Sequence, residues 1–278
     1  MRWCVSWRAV VAGMILLGLL GCSRLTGDRG AEVNEATDVI DRHGITASGY
    51  SRLDAFIARE RLKQRVVHYT IEGDPIFHDL RYAGDRIEMK YDTTQDKFGS
   101  PSVRTYQCSK LVKADSDTEL TYTLTGCDGE AAEIPVLRLD YDLARVDRFA
   151  FVLKYGIGER NEINTLDNKL VKDLINGKVA EANGTGLTRA DMQLFYKRLV
   201  LADYREEKQL TTACNRNPHA SFSLAVYINA GDPRRYQWSE CDNGEDGKQM
   251  KRIADEIIRL AESREPYRKL PRAEGFYE

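Results

Sequence analysis

The chain has 278 residues, 42% hydrophobic and 30% charged, enough for one large or two small folded domains and too polar for a multi-spanning membrane protein. Its 41 basic and 43 acidic side chains leave a formal charge of −2. With no basic run, that balance argues against nucleic acid as a partner and against purely electrostatic attachment to a membrane.

The first element is a signal-like segment. Arg2 and Arg8 form a short basic head, and residues 9–20 form an apolar run. That run is short for a permanent span but right for a signal peptide. It closes on Leu19-Leu20-Gly21-Cys22, an ending that resembles the lipobox of bacterial lipoproteins. The resemblance implies removal of residues 1–21, diacylation of the Cys22 thiol by palmitate-like chains, and acylation of the new amino terminus. Two or more acyl chains hold a protein stably at a membrane. The expected location is therefore the extracytoplasmic face of the cell membrane, anchored through lipid. Residues 22–46 are polar, with Gly27 and Gly30, and read as a flexible tether.

A first module is expected over residues 47–142. Ser51-Arg52-Leu53-Asp54 looks like a capping-box start to a helix with Leu53, Phe56, Ile57 and Leu62 on its apolar stripe. The period then changes to two: Val67, Tyr69 and Ile71, then Ile87, Met89 and Tyr91, then Leu120, Tyr122 and Leu124 alternate with polar residues. Turn residues punctuate these runs at Glu72-Gly73-Asp74-Pro75, Ala83-Gly84-Asp85 and Ala114-Asp115-Ser116-Asp117. The pattern predicts a helix followed by an antiparallel meander of four or five strands.

A second module is expected over residues 143–278. Phe149, Phe151 and Leu153 open a strand, and residues 163–174 could supply its partner. Thr188 with Asp191 caps a helix striped by Met192, Phe195, Leu199 and Ala202. A hairpin follows, with Phe222, Leu224, Val226 and Ile228 in one strand and Tyr236 and Trp238 in the other, turning at Ala230-Gly231-Asp232-Pro233. A last helix carries Met250, Ile253, Ile257 and Leu260 and ends before Pro266. The fold class predicted is α+β: two modules, each an antiparallel β-sheet with packed helices and one disulfide.

Two stretches of the first module carry a further resemblance. Val67-His68-Tyr69-Thr70-Ile71-Glu72-Gly73-Asp74-Pro75-Ile76-Phe77-His78-Asp79-Leu80 is one, and Tyr91-Asp92-Thr93-Thr94-Gln95-Asp96-Lys97-Phe98-Gly99 is the other. With Cys108 and Thr125-Gly126-Cys127, they resemble a domain of unknown function found in secreted lipoproteins of spore-forming Gram-positive bacteria. The resemblance runs from His43-Gly44 to Cys127 and implies a compartment, not a reaction. In the second module, Tyr155-Gly156-Ile157-Gly158, Asn161-Glu162-Ile163-Asn164-Thr165, Cys214 and Asn217-Pro218-His219 resemble the C-terminal part of similar uncharacterised lipoproteins.

Of the six cysteines, Cys4 leaves with the signal and Cys22 carries lipid. Cys108, Cys127, Cys214 and Cys241 remain, an even number suited to disulfides beyond a membrane. Three connectivities are possible. Cys108–Cys127 with Cys214–Cys241 is favoured because each pair stays within one module, and a zinc site lacks ligand spacing. His68 and His78 near Asp74 and Asp79 invite a metal reading, weighed against plain turn and polar-face roles. His219 reads as a structural hydrogen-bonding residue. Asp92 and Asp96 read as turn caps, lacking the oxygen pattern of a calcium loop. Tyr69, Tyr82, Tyr91, Tyr106 and Tyr122 read as sheet core rather than a ligand groove.

No nucleophile elbow, zinc-protease helix, phosphate loop or complete dinucleotide fingerprint occurs. Tyr155-Gly156-Ile157-Gly158 is a turn or bulge pattern. The expectation is a non-catalytic binding or interaction module at the cell envelope, without a cofactor, meeting an envelope protein, peptide or small molecule. Two rivals have stated signatures. A hydrolase assembled from remote residues needs a deep pocket with a strongly shifted histidine or carboxylate. An inhibitor or sensor needs a protruding rigid loop or an exposed aromatic patch.

Overall fold

A computed structural model describes residues 32–129 and 131–275. The signal-like segment, Cys22 and the tether up to residue 31 lie outside the described residues.

The first sheet has six strands: β1 (Val39–Arg42), β2 (Thr46–Ser48), β3 (Lys63–Tyr69), β4 (Pro75–Ala83), β5 (Arg86–Asp92) and β6 (Val103–Cys108), ordered β2-β1-β3-β4-β5-β6. Helix α1 (Ser51–Ile57) lies between β2 and β3 in the chain. It allows β1 to pair parallel to β3, while the other pairs in this sheet are antiparallel. The second sheet is β7 (Lys110–Asp115), β8 (Glu119–Thr125) and β9 (Glu133–Asp140), in that order. The third contains β10 (Phe149–Ile157), β11 (Asn161–Asn164), β12 (Lys169–Asp173), β13 (Val179–Asn183), β14 (Ala220–Ile228) and β15 (Arg234–Ser239), ordered β13-β12-β11-β10-β14-β15. Helices α2 (Arg189–Leu201), α3 (Glu245–Ser263) and α4 (Glu265–Arg268), with a single 3-10 turn at Leu143–Arg145, complete the described elements. No helix among the described residues is long and apolar enough to cross a membrane.

The α+β expectation is therefore corrected. The protein is mostly β, 39% strand against 19% helix, and it has three sheets rather than one per module. The expected meander divides at Ser109, the single residue between β6 and β7. Ser109 N–H donates to Thr125 O at 2.9 Å, and Asp128 N–H donates to Gln107 O at 2.9 Å, so the chain leaves one sheet as it enters the next. The Cys108–Cys127 disulfide sits at this corner, and Cys214–Cys241 is the second disulfide. Alternation shows that a strand has a buried face, not which sheet it joins.

The tether reading is corrected at its downstream end. Val39 and Ile40 are fully buried, and β1 is an inner strand of the first sheet. The α1 expectation is right in place and partly wrong in detail. Leu53 and Phe56 are buried, but Ser51 is already helical, no side chain caps the start, and Leu62 is 59% exposed beyond the helix end. At α2 the capping box is present: Thr188 Oγ1 accepts Asp191 N–H at 3.1 Å, and Asp191 Oδ2 accepts Thr188 N–H at 2.8 Å. Two hydrogen bonds from Arg264 hold that carboxylate from outside the helix.

Two apolar clusters form the core. One joins the inner face of the first sheet (Val39, Val66, Leu80, Met89) to α1 and the second sheet (Phe56, Tyr122, Leu139). The other joins the third sheet (Phe151, Leu153, Trp238) to α2 and α3 (Phe195, Leu199, Ile253, Ile257). Helix α2 serves both. Phe195 and Leu199 enter the second cluster, while Tyr196 and Val200, one step round the helix, enter the first. Gln193 reinforces the join, accepting Leu143 N–H at 2.9 Å and donating to Tyr141 O at 2.7 Å.

Candidate functional site

Strand register assembles a polar row on the inner face of the first sheet. Asp41 of β1 stands beside His68 of β3, and His78 of β4 stands beside Tyr91 of β5. Asp41 Oδ2 is 2.7 Å from His68 Nδ1, and Asp41 Oδ1 accepts Gly44 N–H at 2.7 Å. The turn supplying that N–H is left-handed at both His43 and Gly44, a conformation glycine adopts without strain. The His68 and His78 rings lie 4.4 Å apart, and His78 meets Tyr91 edge-on at 5.1 Å. Burial, with His68 close by, pulls the His78 imidazole down to about 3, so it is neutral at physiological pH.

Asp74 and Asp79, the partners suggested by sequence proximity, are occupied elsewhere. Asp79 makes two bonds to Arg65, at 2.6 and 2.9 Å, on the face opposite His78. The histidine partner is Asp41, from the stretch read as tether. His68 Nε2 and His78 Nδ1 are closed off from solvent without a hydrogen-bond partner. Among the described residues, no hydroxyl or thiol hydrogen-bonds to His68 Nε2. A cavity of about 390 Å³ opens beside Asp41 and His68, with His43, Arg138 and Asp140 also on its wall. His219 lies apart, its Nδ1 2.9 Å from Arg216 O. The tyrosines serve mainly as core: Tyr82 stacks on Phe56 at 4.6 Å, and buried Tyr122 donates to Asp54 Oδ1 at 2.8 Å.

A second feature lies at one end of the same sheet, where the β3–β4 turn and the β5–β6 loop stand side by side. Asp74 ties them together: its Oδ2 accepts Lys97 N–H and its Oδ1 accepts Lys97 Nζ, each at 3.0 Å. The loop is pinned along its length. Asp92 Oδ1 accepts Thr94 N–H at 3.0 Å and Thr94 Oγ1–H at 2.7 Å, while Asp92 Oδ2 accepts Lys90 Nζ at 2.8 Å. Thr93 Oγ1 donates to Ser100 O at 3.0 Å and accepts Ser102 N–H at 2.9 Å across the loop. Asp96 Oδ1 accepts Phe98 N–H at 3.0 Å and Gly99 N–H at 2.8 Å. Burial alone would raise the Asp92 carboxyl, but the bonds from Lys90 and Thr94 outweigh it and hold it at about 2.

This braced end presents Ile71 at 91% exposure and Phe98 at 74%, with Val103 half exposed at the start of β6. Sequence periodicity placed Ile71 on a strand, whereas it lies in the turn beyond β3. Phe98 enters the sequence reading only as part of the family-like run Tyr91–Gly99, with no role of its own. Its signal was a lone aromatic inside Asp96-Lys97-Phe98-Gly99-Ser100-Pro101, a stretch in which four of the other five residues are turn formers.

No curated protein and no solved structure matches this chain. One family model does, over residues 36–123: the Domain of unknown function (DUF4362). The match takes in the whole first sheet, α1, β7 and most of β8, including Asp41, both clustered histidines and the braced end. It stops before β9 and Cys127. A domain of unknown function similar to DUF4362 is thus found over residues 36–123, and no curated protein or solved structure matches the second core that follows.

Proposed function

We propose that the chain is a lipoprotein anchored through Cys22 at the extracytoplasmic face of the membrane, where it acts as a non-catalytic interaction module. Its contact surface is the braced end carrying Ile71 and Phe98. The Leu-Leu-Gly-Cys ending at residues 19–22 supports the anchor, and two disulfides suit an oxidising compartment. One observation carries the contact surface: Phe98 is 74% exposed on a loop that its own side chains hold rigid. A mobile loop could fold an aromatic ring against the body of the protein. A pinned one keeps it in water, and its ordering entropy is spent before any partner arrives.

The partner is a protein with an apolar socket and a basic rim. The turn and loop carry Glu72, Asp74 and Asp96 against Lys97, which is itself paired with Asp74. That acidic margin is unsuited to an anionic lipid surface. The experiment is photo-crosslinking in intact cells, with a photoreactive residue at position 98, 71 or, as a control elsewhere, exposed Val179. Positions 98 and 71 should give the same discrete protein adduct, competed by added wild-type chain but not by Phe98→Ala chain. Adducts to phospholipid, or equal capture at 179, would refute the assignment.

A further inference from the structure

The first sheet ends in an open edge beside the braced loop. Resting on the interaction reading of that loop, we propose that β6 is a strand-addition site. The partner protein lays an extended segment along its outer edge, with Phe98 as the anchor at one end.

The register shows which backbone groups are free. Thr93 N–H donates to Ser102 O at 2.9 Å, immediately beyond the β5–β6 ladder and in its register. Hydrogen-bonded positions alternate along an antiparallel pair. Arg104, Tyr106 and Cys108 therefore turn their N–H and C=O groups toward β5, while Val103, Thr105 and Gln107 turn theirs outward. Asp128 N–H, arriving from beyond β8, donates to Gln107 O at 2.9 Å, which agrees with that direction and closes the far end of the edge. β6 is the last strand of its sheet. Among the described residues, nothing beyond β5 bonds the main chain of Val103 or Thr105. Their N–H and C=O groups, with Gln107 N–H, form one row open to a further strand.

Natural edges are blunted by shortness, by charge or proline, or by cover. At the other end of this sheet β2 has only three residues. In the third sheet β13 carries Glu181 at its centre, and β15 has Ser239 N–H bonded to Thr211 O at 3.0 Å. β6 has six residues and no lysine, proline or carboxylate among them. It is also held in place before any partner arrives. Ser102 N–H is bonded to Thr93 Oγ1 at one end, and Cys108 is bonded to Cys127 at the other. The edge is continuous with the exposed apolar groups, since half-exposed Val103 begins β6 where the Phe98 loop ends. Charge narrows the occupant. Arg104 is exposed and pairs with no carboxylate among the described residues. Successive side chains of a strand point to opposite faces, so the incoming segment carries an acidic residue opposite Arg104 and an apolar one beside Val103. Main-chain bonds supply affinity, and these two alternate side chains supply specificity.

The test uses the full-length chain in intact cells, with a photoreactive residue at position 103 or 105 and the captured peptide sequenced by mass spectrometry. The two positions should capture residues two apart in one linear stretch of the same protein that position 98 captures, as a strand of period two requires. Thr105→Pro removes an outward N–H, a change that an edge strand tolerates, and sets its ring against any added strand. It should cut the adduct from position 98 at least tenfold at an unchanged melting temperature. Thr105→Ala, which keeps the N–H, should capture as wild type. The mapping from 103 and 105 does not depend on the proline variant folding. Undiminished capture at 98 by well-folded Thr105→Pro, or captured residues scattered over the partner, would overturn strand addition and leave the Phe98 contact standing. Adducts from 103 and 105 only to a second copy of this chain would also overturn it. No adduct from position 98 in the otherwise wild-type chain would remove both readings.

Discussion

Asp92 offers a sharp test of the braced loop, because one carboxylate anchors it and the energy can be followed with pH. Asp92→Asn removes the charge that holds Lys90 Nζ at 2.8 Å but keeps an oxygen able to accept Thr94 N–H. The folded-state pKa falls from 3.8 to about 2, a depression worth about 2.5 kcal/mol at most. Lys90 is 45% exposed while Asp92 is only 10% exposed, so solvent screening of the cation reduces the figure to about 1–2 kcal/mol. Because the folded pKa is the lower one, this stability is fully present above the unfolded pKa and is lost as pH falls through about 2. Urea unfolding of wild type and variant should differ by the same about 1–2 kcal/mol at pH 7 and pH 5. The gap should shrink to about half at pH 3 and nearly close at pH 2, with unchanged m-values. A gap independent of pH, or one that widens in acid, would refute the reasoning.

Four further outcomes follow from the architecture and the proposed anchor. Replacing Cys108 and Cys127 together by Ala should cost about 2–5 kcal/mol in chemical denaturation, since that bond closes a 19-residue separation at the corner between two sheets. A chain ending at Asp128 lacks β9 and leaves β8 paired only with β7, its other edge open, so it should be molten by near-ultraviolet circular dichroism. One ending at Asp142 keeps β9 but loses Tyr196 and Val200 from the first core, and should unfold at lower urea than the whole protein. Cys22→Ala should move the protein out of the membrane fraction and abolish metabolic acyl labelling. Retention of label would place the anchor elsewhere.

How much was legible depended on the range of each interaction. β3, β5, β8, the β14–β15 hairpin, α2 with its Thr188–Asp191 box and α3 could be read, because each is declared by local period and capping. β1 could not. Four residues, two of them charged, carry too little pattern, and β1 owes its place to parallel pairing with β3 across α1. Missing β1 also hid the partner of His68, since Asp41 lies 27 residues away. The division into sheets at Ser109 was invisible for a related reason: neither β6 nor β7, on the two sides of the corner, carries a clear alternation of its own. Phe98 escaped notice because its meaning comes from exposure on a pinned loop, which depends on Asp74, Thr93 and Ser102 reaching across the fold.

The central claim is that Phe98, held out by its loop, is the group a protein partner binds. The most direct measurement is the affinity of the crosslinked partner, once purified, for wild-type chain, Phe98→Ala and the His68→Gln/His78→Gln double variant, each checked for a wild-type melting temperature. Burying the ring should be worth about 2–3 kcal/mol, so Phe98→Ala should weaken binding by about 30- to 150-fold, while the histidine variant binds as wild type. Equal affinity of Phe98→Ala and wild type would contradict the claim.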